Sequence, residues 1–211
     1  MKPFASFFIV SVLNSALLAA IPVALWFGRQ AWALSDWTMV AHQVLAGIAA
    51  LSLFFMLRRY EEANWIRSAF LAMVGVYGLM VVQWIVTALA VSKPELFQAV
   101  TVLSRFVSFC SIVVGLAVLV GYFYVQAPEI RPWFRWLAWV QMLTAVLVVP
   151  WAIMRVMHYG AFGMRGMTYL MALPHSLLVV YLNYRFWNGS LGNNNVWEEE
   201  IDALGEETVE Q

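Results

Sequence analysis

Six apolar runs fill almost the whole chain: Phe4 to Phe27, Trp37 to Leu57, Ser68 to Ala90, roughly Gln98 to Val125, Trp133 to Met154 and Met167 to Trp187. Crossing about 30 Å of hydrocarbon takes about 20 residues of helix at 1.5 Å per residue, and each run reaches that length. The expected fold is therefore an all-α integral membrane protein, a bundle of about six transmembrane helices with no soluble domain. The six-helix domain would span residues 1–187, and a polar linker with an acidic tail would occupy residues 188–211.

Composition agrees with the runs. Hydrophobic residues make up 63% and charged ones 11%, against about 25% charged in soluble domains, so the chain is built to be solvated by lipid. Of the eleven Trp, six (Trp26, Trp32, Trp37, Trp65, Trp133 and Trp187) lie near run ends, where amphipathic rings favour the headgroup layer. The first run follows Lys2, as a signal peptide would, but it is too long for an h-region and has no small-residue cleavage site before Gly28; it reads as a retained helix. The single cysteine, Cys110, excludes an intrachain disulfide and a Cys-rich metal centre.

The formal charge of zero hides an asymmetry. Seven of the twelve acids lie between Glu198 and Glu210, so residues 1–197 carry twelve Lys/Arg against five acids. With a cytoplasmic amino terminus, the inner side receives Lys2, Arg58, Arg59, Arg67, Arg131, Arg135 and Arg185. The outer side receives Arg29, Lys93, Arg105, Arg155 and Arg165. The excess of inner cations predicts a cell (inner or plasma) membrane protein with both termini cytoplasmic.

Lipid offers no hydrophobic drive for helix association, so close helix contact needs small residues. Ser11, Ser15 and Ala19 form one such stripe, His42, Ala46 and Ala49 a second, and Ser104, Ser108, Ser111 and Gly115 a third. Pro22, Pro150 and Pro174 each free a backbone carbonyl one turn earlier and are candidate bends. No repeat with matched motifs and no pair of broken helices appears.

Placed by depth, His42, Gln43, Gln83, Gln98, Arg105, Arg155, His158 and His175 all fall in the outer half or near the midplane. No carboxylate in the spans pairs with Arg105, Arg155 or Arg165; Asp36 and Glu95 are boundary residues. A charge at the bilayer centre costs about 2.5 to 3.5 kcal/mol on the insertion scale, so such side chains usually face the bundle interior and a partner. The expected ligand site is a basic outer-half pocket of Arg105, Arg155 and Arg165 with His42, Gln83, His158 and His175. Guanidinium forks there would suit a lipid phosphate, a carboxylate or a cofactor's propionates. Snorkelling of the same arginines to the headgroups is the plainer alternative.

Two further chemistries stay open. His42 and His175 lie at similar depth on different helices, the requirement for a bis-His haem b, although no carboxylate or Cys is near to complete another metal centre. Structural hydrogen bonding of these histidines within a helix interface is the alternative. Cys110, Arg155 and His175 sit on three successive helices, and their order, with spacings of roughly 45 then 20 residues, resembles the exosortase and archaeosortase families of membrane-embedded cysteine transpeptidases. That resemblance, confined to the second half of the chain, implies Cys110 as nucleophile, His175 in proton transfer and Arg155 as oxyanion stabiliser. The family's Cys-Ser-Gly reads Cys110-Ser111-Ile112 here, and the Asn expected three residues before the arginine is Ala152.

Gly160, Gly163 and Gly166 punctuate the last connection, as a turn or as a lid over the pocket. In the tail, Trp197, Ile201 and Leu204 at helical spacing among acids read as a short amphipathic helix suited to a basic membrane or cytoplasmic protein partner, or else as a solvated disordered terminus. Membrane lipids are the other expected partners, and no nucleic acid is. The leading expectation is a non-enzymatic scaffold or transport subunit that binds a lipid or other anionic amphiphile. The cysteine enzyme and the haem-bearing redox anchor are its alternatives.

Overall fold

The computed structural model describes residues 3–27, 35–159 and 165–189. They form six long helices: α1 (Pro3–Trp26), α2 (Asp36–Arg59), α3 (Asn64–Ala90), α4 (Phe97–Tyr124), α5 (Arg131–Tyr159) and α6 (Arg165–Trp187). A single 3-10 turn, Pro94–Leu96, leads into α4. Helices α1 to α4 are each long and apolar enough to cross a membrane, and the protein is a multi-pass membrane protein. Helices α5 and α6 match them in length at 29 and 23 residues. Helix α6 is the most polar of the six, and part of the reason is visible: Ser176 and Asn183 are buried in the bundle, where hydrogen bonds replace apolar contact.

Each helix packs against the next in sequence, and α6 returns to pack against α1, so the six form a closed up-and-down ring. Small residues set the closest approaches. A Cβ added at Gly47 of α2 would meet the Tyr77 Cβ of α3 at 3.2 Å, so only glycine allows this spacing without a shift. Ser11 and Ser15 of α1 are buried and face partners on α6, as the first small-residue stripe predicts. The third stripe behaves otherwise: Ser108 is exposed, a Cβ at Gly115 would touch nothing, and the Ser111 hydroxyl donates to Val107 of its own helix at 2.7 Å. Ser108 and Gly115 on that face therefore mark no close helix contact among the described residues.

The connections at one end, which we call the arginine end, explain its order. Helix α2 stops where Glu61 takes a left-handed conformation (φ 52°), its N–H donating to Arg58 C=O while Glu62 N–H donates to Leu57 C=O, both at 3.1 Å. This is a Schellman terminus with Glu where glycine is usual. The turn delivers the buried Glu62 carboxylate to the α4–α5 connection, where one oxygen accepts from the backbone N–H of Gln126 (2.8 Å) and of Ala127 (2.7 Å). Helix α5 then starts with Pro132 in its first turn, where the missing N–H has no intrahelical partner to lose. At the opposite end Ser35 caps α2, its hydroxyl accepting from Thr38 N–H at 3.2 Å.

Two apolar plugs fill the ring. The larger occupies the arginine end, with Met56, Leu57, Ile66, Phe70, Phe134, Leu137 and Leu182 almost fully buried. The smaller sits toward the other end, with Ile21 and Met39 buried against Leu17, Ala24, Trp84 and Tyr169. Between the plugs the axis of the bundle is open.

Candidate functional site

The opening is a cavity of about 240 Å³ lined by residues from all six helices. Its existence follows from side-chain size: Ala46, Ala49 and Ala50 of α2 and Ala172 of α6 present only methyl groups to the axis. The His42, Ala46 and Ala49 stripe, expected as a helix contact, thus serves to leave room. Leu18, Leu53, Met73, Val118 and Val179 supply apolar wall, and Phe70, Tyr77 and Tyr122 supply aromatic wall from α3 and α4.

Hydrogen bonds organise the polar part of the lining. Asn14 of α1 donates its amide to the Ser176 hydroxyl of α6 at 3.3 Å, so its carbonyl oxygen faces His42 Nδ1 of α2 at 3.0 Å and accepts from it. The Ser15 and Ser176 hydroxyls lie 2.7 Å apart and extend the chain. With the Nδ1 proton so held, His42 keeps Nε2 as its acceptor nitrogen. The His42 ring also meets the edge of Tyr169, whose hydroxyl contacts the Met39 sulfur. Across the axis, the Tyr122 hydroxyl of α4 is 3.0 Å from Nε2 of His175 on α6. Thr144 of α5 donates to Val140 C=O on its own helix and approaches Met171 C=O on α6 at 3.1 Å.

Two lining groups have unused capacity. The Tyr77 hydroxyl and the Gln141 side-chain amide make no hydrogen bond among the described residues. Tyr77, Gln141 and His175 lie thirteen, ten and twelve residues in from the arginine ends of their helices. At 1.5 Å per residue that is about 15 to 20 Å, near the middle of a 30 Å hydrocarbon layer. No Lys, Arg, Asp or Glu is among the described residues that line the cavity.

The sequence-predicted residues divide accordingly. His42 and His175 come together in one cavity. Gln83 is half-buried outside it, and its backbone carbonyl takes the Thr87 hydroxyl at 2.8 Å. Arg105 is exposed on α4; thirteen residues before the lining Val118, it points about 220° away round the helix. Cys110 is half-buried, about 80° round from Val118, and does not reach the cavity that holds His175. Arg155, His158 and Arg165 carry side chains outside the described residues, as do the Gly160 and Gly163 loop and the acidic tail from 190 onward.

Sequence reasoning missed Asn14, Tyr77, Tyr122, Gln141 and Ser176 as lining residues. A signal existed for Asn14, an amide between Ser11 and Ser15 in an otherwise apolar run. Tyr77 and Tyr122 had none, because a tyrosine in a membrane helix packs equally well as an ordinary aromatic.

Away from the cavity, Asn183 of α6 is fully buried and donates to Ser11 of α1 (2.8 Å) and Ser52 of α2 (3.0 Å). Those hydroxyls in turn donate hydrogen bonds to Phe7 C=O and Ala49 C=O. The amide ties three helices together just below the cavity floor. Comparison with protein-family models, with curated proteins and with solved structures finds no match for this chain.

Proposed function

We propose that the protein is a membrane subunit, a scaffold or transport component, that holds a small uncharged amphiphile in the cavity at the centre of its six-helix ring. One observation carries the reading: all six helices contribute to a midplane cavity whose described polar lining is hydrogen-bonding but uncharged, with the Tyr77 hydroxyl and the Gln141 amide unengaged among the described residues. Buried polar groups are normally satisfied by protein, water or ligand, and an apolar void would need none of them. An ionic ligand in this lining would be desolvated with no counter-charge among the described residues. This reading takes a neutral amphiphile in the cavity in place of the anionic one anticipated from the arginines, and it assigns Arg105 to the headgroup layer. The orientation with the arginine end in the cytoplasm belongs to the same proposal and rests on the excess of Arg at that end.

The test is native mass spectrometry of protein released from nanodiscs, with Ala50→Phe filling the cavity. The parent should carry a bound small molecule that Ala50→Phe lacks at unchanged elution volume. Equal occupancy in both proteins would place the ligand elsewhere and sink the proposal.

One observation favours a second reading: His42 and His175 line the same cavity from different helices, as a haem b site requires. Ligation through both Nε2 atoms would have to displace the Tyr122 hydroxyl from His175. An absorption spectrum decides it. A Soret band lost in His42→Ala or His175→Ala establishes haem, and a colourless protein removes it.

A further inference from the structure

The arrangement of the unengaged groups narrows the ligand class. We infer that the cavity takes the head ring of a membrane-dissolved quinone or quinol, held by hydrogen bonds at opposite edges of the ring; this rests on the reading that the cavity is a ligand site.

Three observations converge. The ring order of the helices sets α2 and α3 on one wall of the cavity and α5 and α6 on the other. His42 and Tyr77 occupy the first wall, Gln141 and His175 the second. Each wall therefore offers a donor to an unbonded oxygen, the Tyr77 hydroxyl on one side and the Gln141 amide on the other. A ligand with one hydroxyl, such as a sterol or a fatty alcohol, engages one wall only. A ring with oxygens at opposite edges engages both. The same lining serves either oxidation state, because His42 Nε2 accepts from a hydroxyl while Tyr77 and Gln141 donate to a carbonyl.

The second observation is the aromatic wall. Phe70, Tyr77 and Tyr122 line the cavity from adjacent helices, with Phe70 and Tyr122 in an edge-on contact at 5.2 Å between centroids. Flat rings prefer such offset or edge contacts. The third is the lack of charge among the described lining residues, which suits a neutral ring delivered from the lipid phase on an apolar tail. A cavity of about 240 Å³ is in the range of a substituted single ring and leaves no room for the tail, which would pass between helices into the bilayer.

The test uses full-length protein in dodecylmaltoside and three probes with the same decyl tail: a benzoquinone, plain decanol and a benzoate. Binding is measured by equilibrium dialysis. The quinone is expected to bind one per chain, with Tyr77→Phe plus Gln141→Leu weakening its Kd at least tenfold while elution volume and melting temperature hold. Decanol and the benzoate are expected not to compete. Decanol competing as well as the quinone, with both weakened by Ala50→Phe, would overturn the ring assignment and leave the cavity a ligand site. Saturable benzoate binding would likewise overturn the neutral-ring class. Binding of no probe, with no small molecule retained in native mass spectra, would overturn both the ring assignment and the ligand site.

Discussion

Replacing Glu62 by alanine removes a carboxylate oxygen that joins the α2–α3 and α4–α5 connections. That oxygen accepts two backbone N–H groups, from Gln126 and Ala127, at 2.8 and 2.7 Å, and Glu62 itself is only 4% exposed. Hydrogen bonds to charged acceptors contribute about 1.5 to 3 kcal/mol each, so the pair is worth about 3 to 6 kcal/mol before relaxation. Gln126 is exposed and Ala127 half-buried, so water can reach both amides once the carboxylate is gone. The net cost should then fall to about 2 to 3 kcal/mol. Glu62→Gln keeps an acceptor oxygen but loses its charge and should cost about 1 kcal/mol. The assay is equilibrium unfolding in mixed detergent and SDS micelles, paired with hydrogen exchange at the Gln126 and Ala127 amides. Both amides should lose protection in Glu62→Ala and keep most of it in Glu62→Gln. Unchanged protection in Glu62→Ala would refute the latch, whatever the global stability did.

Glu61→Gly should stabilise by about 0.5 kcal/mol in the same unfolding assay: relief of the left-handed conformation (φ 52°) gains about 1 to 2 kcal/mol, and glycine's extra chain entropy takes back about 0.5 to 1. Phe134→Ala, at a fully buried position, should destabilise by about 2 kcal/mol, the cavity term for roughly 80 to 100 Å³. The transfer term is absent because an unfolded helix keeps Phe in lipid, and a loss above about 4 kcal/mol would show that argument to be wrong. Asn183→Leu should change stability by less than about 1 kcal/mol, since two lost bonds at about 0.6 each are offset by removing an amide oxygen buried without a partner among the described residues. Gly47→Val should weaken ligand retention in native mass spectra, because the added methyls displace Tyr77 from the cavity wall; unchanged retention would remove Tyr77 from the site.

Helix number was legible because it is set locally, while some ends were not: α3 starts at Asn64 rather than Ser68, and α5 runs to Tyr159 rather than Met154. The apolar run Phe4 to Phe27 becomes α1 (Pro3–Trp26), and Met167 to Trp187 becomes α6 (Arg165–Trp187), each shifted by no more than two residues. Run length against bilayer thickness needs no knowledge of neighbours. The depth of His42 and His175 followed from the same count, which is why their meeting in one cavity could be anticipated.

Azimuth was another matter. In a soluble protein the polar face of a helix announces the outside, but here lipid and bundle interior are both apolar and the helices carry little amphipathic contrast. Nothing in the sequence alone distinguished the direction of Arg105 from that of His175, or showed that Ser108 and Gly115 face outward while Ala46 and Ala50 border a void. Those directions are fixed only when α6 closes against α1 and each helix is rotated by its contacts with two neighbours. The sequence by itself determined how many long helices there are and roughly where along the chain each one runs. The closed ring decided which polar groups share a cavity, because that depends on the relative rotation of six helices, and rotation is a property of packing between them.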